Sequence, residues 1–224
     1  MKNRNYRYFD ILVALFVAVL LISNIASTKI LDLWKFTFDG GTVLFPLSYI
    51  FGDILTEVYG YRKSRRVIWL GFFSALLMSL VLFLVQKLPP AADWPNQEAF
   101  NTILGFVPRI VGASLLAYFA GEFSNSVILS RLKIYTRGKF LWLRTIGSTL
   151  IGEGIDTMVF CMVAFYGLLP SPVLWAVIAS NYIFKCSVEI LFTPFTYQIV
   201  GFLKKRENED VFDYGINYSP FNLS

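Results

Sequence analysis

The stretch that most constrains this chain is Gly152-Glu-Gly-Ile-Asp-Thr-Met-Val-Phe160. It places Glu153 and Asp156 on one helix face, inside an apolar run over residues 141–168 that is long enough to cross a bilayer. A charged group at mid-bilayer costs about 3 kcal/mol or more. A helix facing lipid does not carry two carboxylates. These must point into a protein interior or a water-filled cavity, where something uses or neutralises them.

The rest of the chain agrees that it is a membrane protein. Residues 11–22 are apolar throughout, residues 67–85 carry no charge, and 56% of the 224 residues are hydrophobic. The mean hydropathy is +0.58. A soluble domain would show amphipathic stripes instead. The reading is one polytopic domain over 1–206, with no separate soluble domain, and a flexible cytoplasmic tail over 207–224. Residues 11–22 continue into Ser23-Asn24-Ile25-Ala26 without a cleavage site of small residues, so the N-terminus does not read as a removable signal. The chain has no histidine, and Cys161 and Cys186 both fall inside expected spans. Nothing has metal-ligand spacing, and no cofactor is called for.

Six segments are long and apolar enough to span: residues 11–31, 42–59, 67–85, 110–129, 141–168 and 173–202. The net charge of +5 resembles a nucleic-acid signal until its distribution is read. Lys2, Arg4 and Arg7 precede the first span, Arg62, Lys63, Arg65 and Arg66 follow the second, and Arg131, Lys133, Arg137 and Lys139 follow the fourth. Lys204, Lys205 and Arg206 close the sixth. Positive charge stays on the side from which chains are inserted. The expected fold is therefore an all-α membrane protein of six transmembrane helices with both termini cytoplasmic, and no nucleic-acid partner. The loop over residues 89–108 reads either as a connector or as holding a short interfacial helix near residues 96–104.

The informative residues are the polar ones inside the spans. Asn24 and Thr28, followed by Lys29, lie in the first span, and Asp53 and Glu57 lie in the second. Glu122 and Asn125 lie in the fourth, and Ser148, Glu153, Asp156 and Thr157 in the fifth. Asn181, Lys185 and Glu189 form one stripe along the sixth. Counted from the outer span ends at 1.5 Å per residue, Asp53, Glu122, Asp156 and Lys185 each lie roughly 17–18 Å deep, near the midplane. Buried ion pairs such as Lys185 with Asp53 or Asp156 account for some of them. The carboxylates still outnumber Lys29 and Lys185, so the surplus binds protons or receives donors from a ligand. Arg144 reads either as snorkelling to the interface or as gating a pathway by pairing with a carboxylate deeper in the membrane.

A short internal echo joins Gly52-Asp53-Ile-Leu-Thr56-Glu57 to Gly152-Glu153-Gly-Ile-Asp156-Thr157. Each lies in the middle helix of three, and the two helices run in opposite directions. That pattern points to a 3+3 inverted repeat whose glycine-loosened helices build the substrate site.

Phe51-Gly-Asp-Ile-Leu-Thr-Glu-Val-Tyr-Gly-Tyr61 with its basic run, Arg144-Thr-Ile-Gly-Ser148 with Glu153 to Phe160, and Asn181-Tyr-Ile-Phe-Lys185 with Glu189 resemble, in order, the signature of the queuosine precursor transporters. That family is also called the vitamin uptake transporters. The resemblance runs over nearly the whole chain. It implies uptake of the cyano and aminomethyl deazaguanine precursors of queuosine across the bacterial inner membrane, and no enzymatic activity. The residues suit such a base. A carboxylate accepts the two adjacent N–H donors of a guanine-like edge as a fork, while Lys or Asn serves its carbonyl. The candidate substrate contacts are Asn24, Asp53, Glu57, Glu153, Asp156, Asn181, Lys185 and Glu189. Lys29, Glu122, Arg144 and Ser148 are candidates for a gate or pathway. Tyr49, Tyr59, Phe160 and Tyr182 are candidate stacking aromatics.

Two alternatives stand beside this reading. Ala14-x-x-x-Ala18 would allow the first span to pack on a partner, as in the substrate-binding subunit of an energy-coupled vitamin importer, and a homodimer is equally compatible. An intramembrane aspartyl protease would need Asp53 and Asp156 about 3 Å apart, sharing a proton.

Overall fold

The computed structural model describes residues 6–26, 29–33, 36–104, 108–167 and 170–222. Thr28, Lys2 and Arg4 lie outside them. Helix α1 (Phe9–Ala26) leads into a short antiparallel hairpin, β1 (Ile30–Leu33) and β2 (Phe36–Asp39), and a 3-10 turn, Gly40–Val43. Helices α2 (Phe45–Tyr59) and α3 (Tyr61–Lys87) follow, then the short α4 (Gln97–Leu104). Helices α5 (Pro108–Tyr135), α6 (Leu141–Phe165) and α7 (Ser171–Glu207) complete the bundle.

The bundle is helical, as the apolar runs require. Of its helices, α1, α3, α6 (over Leu141–Ala164) and α7 (over Leu174–Glu207) are individually long and apolar enough to cross a membrane. Helix α3 shows why: Leu70, Phe73, Leu77, Leu80 and Leu84 all face outward. Apolar side chains on the outside are what a lipid surface demands.

Helix α2 is built on the opposite principle. It has 15 residues, and all but Phe45, Leu47 and Phe51 are buried. At 1.5 Å per residue it is only about 22 Å long, so it holds its depth by being surrounded with protein. Pro46 starts it, and Gly60, at φ 83°, ends it with a sharp break into α3. Gly60 is required twice over, because a Cβ there would also overlap Val211 and Asp213.

Three sequence expectations change. The expected first span over 11–31 stops at Ala26, and its end becomes strand β1 of a short hairpin beside the all-helical bundle. Gly52 and Gly152 do not loosen their helices, since α2 and α6 are continuous. They thin the helices instead, so that neighbours pass closely: a Cβ on Gly52 would overlap the Glu122 carboxylate, and one on Gly152 would press on Asn125 and Tyr49.

The third change concerns the tail, which does not hang free. Asp213 accepts hydrogen bonds from the Tyr61 amide (2.8 Å) and the Ser130 hydroxyl (2.7 Å). Arg65 donates to the carbonyls of Asn217 (2.9 Å) and Ser219 (2.8 Å), and the Trp69 indole donates to that of Pro220 (2.9 Å). Glu207, at the end of α7, accepts from the Tyr8 amide at the start of α1 (2.7 Å). The start of α1, the end of α7 and the tail over residues 208–222 therefore meet at one end of the bundle. The loop over residues 89–108 contains α4, close to the interfacial helix expected there.

Candidate functional site

Two clusters of ionisable side chains occupy the bundle at different depths. The first surrounds Glu57 near the end of α2, at the end of the bundle where the start of α1, the end of α7 and the tail meet. Arg144 Nη2 reaches Glu57 Oε1 at 2.6 Å and Arg144 Nε reaches Oε2 at 3.0 Å, a two-pronged pairing between fully buried groups. Arg144 also donates to the Lys139 carbonyl. Lys204 of α7 donates to Glu57 Oε1 at 2.6 Å, and Lys133 of α5 to the Glu57 carbonyl at 2.5 Å. Asp210 of the tail closes the ring, 2.5 Å from Lys133 and 2.9 Å from Lys204. Arg144 thus pairs with a carboxylate instead of snorkelling. Its partner lies on α2.

Asp210 lies outside the membrane-spanning segments. Partial burial acts to raise its pKa, but the hydrogen bonds and charges of Lys133 and Lys204 outweigh that and hold it below the ordinary carboxylate range.

The second cluster lies about three helical turns along α6 from Arg144. Lys185 of α7 donates to Asp156 Oδ2 at 2.6 Å and stands 3.0 Å from Glu153 Oε2. One face of α6 therefore presents both carboxylates to one ammonium, as their spacing requires. Asp53 does not reach Lys185. It accepts from Asn125 Nδ2 at 2.7 Å, so the two aspartates that a protease would need hold different partners. Glu122 and Glu189 are buried, with no protein hydrogen-bond partner for either carboxyl among the described residues.

A cavity opens beside this second cluster. Asp156, Thr157 and Phe160 of α6 form one wall, Asn181 and Lys185 of α7 another, and Asn24 of α1 a third. Phe45, Gly41, Ser114 and Ala117 complete the lining. Asn24, Phe45 and Ser114 come from the helix ends nearest the hairpin, so the cavity lies toward that end. The opposite end is filled by the Glu57 ring.

The other candidates fall elsewhere. Glu57 belongs to the ring and not to the cavity. Ser148 is buried on α6, with its hydroxyl on the Thr145 carbonyl (3.0 Å). Lys29 is exposed on the turn before the hairpin. Of the stacking aromatics, Phe160 lines the cavity, while Tyr59 lies at the far end beside Tyr6 and Phe9. Tyr182 donates its hydroxyl to the Leu150 carbonyl (3.0 Å).

Sequence reading missed Phe45, whose ring centre lies 4.8 Å from Lys185 Nζ. An aromatic directly before Pro46 at a helix start was the available signal. It missed Lys133 and Lys204 too, because each sits in a basic flank that topology alone explains.

Residues 39–199 match a family described as "Putative vitamin uptake transporter". A curated relative from Bacillus subtilis (strain 168), named "Probable queuosine precursor transporter", is 32% identical over 176 residues, covering 78% of this chain and 77% of that protein. The "Queuosine precursor transporter" of Escherichia coli (strain K12) is 30% identical over 171 residues, 74% of each chain. A third, from Haemophilus influenzae, is named "Probable queuosine precursor transporter" and is 30% identical over 159 residues, covering 69% of this chain and 65% of its own length. This chain belongs to the queuosine precursor transporter family. No solved structure matches it.

Membership makes the chain a multi-pass protein of the bacterial inner membrane, a transporter of a small molecule and not an enzyme.

Proposed function

We propose that this protein imports queuosine precursors, the cyano- and aminomethyl-deazaguanines, through a bundle of six spans (α1, α2, α3, α5, α6 and α7) with both termini cytoplasmic. The two halves, α1–α3 and α5–α7, form an inverted repeat in this reading. The observation that carries the proposal is the cavity whose lining brings Asp156, Lys185 and Asn181 together with the aromatic rings of Phe45 and Phe160. A flat base fits between two aromatics, and its donor edge fits a carboxylate.

Asp156 accepts the paired N–H donors. Lys185 and Asn181 serve the carbonyl, and Asn24 lies within the same cavity. Before substrate arrives, Lys185 donates to Asp156 and keeps it aligned. The Glu57 ring is the closed cytoplasmic gate, so the structure corresponds to a state open toward the outside. Opening inward requires Arg144 and Lys204 to leave Glu57.

Binding to the purified protein tests the reading. Both deazaguanines should raise the unfolding temperature and bind in the micromolar range or tighter, with adenine and hypoxanthine, which lack the paired donors, at least tenfold weaker. Equal binding of adenine would remove the role given to Asp156. A reporter placed after Arg206 should read as cytoplasmic and one within residues 90–98 as external. The reverse would remove the topology.

A further inference from the structure

Glu122 lies at the middle of α5, fully buried, with neither carboxyl oxygen bonded to any protein group among the described residues. Gly52 makes the room it occupies, since any side chain there would overlap its carboxylate. Beside it the Tyr49 hydroxyl, also fully buried, has no protein partner among the described residues and points at the junction of Gly121 with Asp156. A structural glutamate in such a place would be hydrogen-bonded, because buried polar groups almost always are. This one is kept unpaired, beside an unpaired hydroxyl, between the cavity and the gate.

The groups facing it come from every neighbouring polar helix. Tyr49 and Asp53 face it from α2, Tyr118 from α5 itself, Glu153 and Asp156 from α6, and Glu189 from α7. Lys185, which already pairs with Asp156 and Glu153, is the cation at this level among the described residues. If Asp53, Glu122, Glu153, Asp156 and Glu189 were all ionised, one ammonium would face a large surplus of negative charge. An unpaired buried ion costs several kcal/mol. The cluster therefore holds protons while it is closed; Glu122 and Glu189 are its members with no protein partner among the described residues, and Glu122 is the one that lies directly behind Asp156.

The arrangement is also continuous. Asp156 lines the cavity, Glu122 lies behind it, and Asp53 adjoins Gly52 and is held by Asn125, one turn along α5 from Glu122. Glu57 follows one turn further along α2, inside the gate. Carboxyls thus lead stepwise from the cavity to the cytoplasmic ring.

We propose that transport is coupled to protons, with Glu122 as the carrying group. This inference rests on the deazaguanine reading above. The Glu122 carboxylate takes one proton from the outer side through the open cavity. The bundle closes around substrate only when that charge is neutralised. Once the gate opens inward, the O–H bond breaks, the proton passes to cytoplasmic water, and the carboxylate is restored for the return step. No electron transfer or second reactant is involved.

Proteoliposomes containing the purified full chain test this with radiolabelled cyano-deazaguanine. With the lumen one pH unit more alkaline and no sodium gradient, substrate should accumulate up to about tenfold at one proton per substrate. Glu122→Asp, which keeps a titratable carboxyl, should still accumulate it. Glu122→Gln should exchange labelled for unlabelled substrate yet only equilibrate under the same gradient. In the parent, binding heats should differ between buffers of different ionisation enthalpy, showing proton uptake with substrate.

Accumulation that follows a sodium gradient and ignores pH would overturn the inference, as would parent-like accumulation by Glu122→Gln. So would parent exchange with no response to the pH gradient, and the substrate reading would survive that result. If the parent shows no exchange of deazaguanine at all, the substrate reading falls, and this inference with it.

Discussion

The Glu57 ring and the Asp156 cluster use the same chemistry to opposite ends. Around Glu57 one carboxylate meets Arg144, Lys133 and Lys204, and the tail's Asp210 pairs with the two lysines. Every charge there has a partner. Around Asp156 a single lysine serves two carboxylates, and Glu122 and Glu189 have no protein partner among the described residues. In the reading proposed above, the saturated cluster closes a path and the unsaturated one takes a ligand and a proton. In a low-dielectric interior that difference in partner count is what would set a lock apart from a site.

The comparison breaks most severely if Glu57 can be lost cheaply. Glu57→Gln leaves Arg144 buried without its anion, and Lys133 and Lys204 with Asp210 alone. Removing one partner of a buried pair costs about 3–5 kcal/mol. The variant should unfold at a markedly lower temperature in detergent, or fail to accumulate in the membrane. Parent-like stability would mean that the ring is not the lock described.

Asp156→Asn is the matching change at the site. The amide keeps the size but presents an N–H to the substrate's own N–H donors. Losing a charge-assisted bond and gaining that clash should cost about 3 kcal/mol, more than a hundredfold in affinity. Lys185 keeps Glu153 at 3.0 Å, so the fold should suffer less here than in Glu57→Gln. Calorimetry on monodisperse protein checks both. Undiminished binding would make Asp156 structural and turn attention to Glu153.

Arg144→Lys sharpens the gate. A lysine keeps the charge but cannot reproduce the fork on Glu57. Each lost charge-assisted bond is worth about 1.5–3 kcal/mol, so the closed gate should weaken and uptake should change tenfold or more, with substrate binding at the cavity little altered. Parent-like uptake by the lysine variant would reduce Arg144 to a simple charge.

Much of this was legible in the sequence, for a physical reason. Helical spacing placed Glu153 and Asp156 on one face, and the expense of charge in lipid turned that face inward. Lys185 then had one plausible depth, and Asp156 is the partner it has. The hidden part consists of interactions that leave no pattern. Lys133 and Lys204 look like the flanking charges that every inner-membrane protein carries. The tail has no apolar period because backbone carbonyls of Asn217, Ser219 and Pro220 do the docking, and any residue supplies a carbonyl. Helix α2 passes for an ordinary span until its short length and nearly complete burial are seen.

The smallest effect belongs to the link between tail and ring, at Asp210. Its carboxyl is about half exposed, at 45%, so solvent screens the pairs it makes with Lys133 and Lys204. Those pairs depress its pKa in the folded protein. A depressed carboxylate pKa means that the unfolded chain binds the proton more readily. The resulting stabilisation is therefore complete above the unfolded value of about 3.9 and disappears as pH falls through the lower folded value. Asp210→Asn should lower stability at pH 7 by about 0.2–1 kcal/mol, the range of exposed ion pairs, and less at high salt. Thermal unfolding of parent and variant, compared from pH 7 down to pH 3, should show the gap narrowing only at the acid end. A gap that stays constant over that range would mean that Asp210 acts through packing, and that the ring holds its balance without the tail.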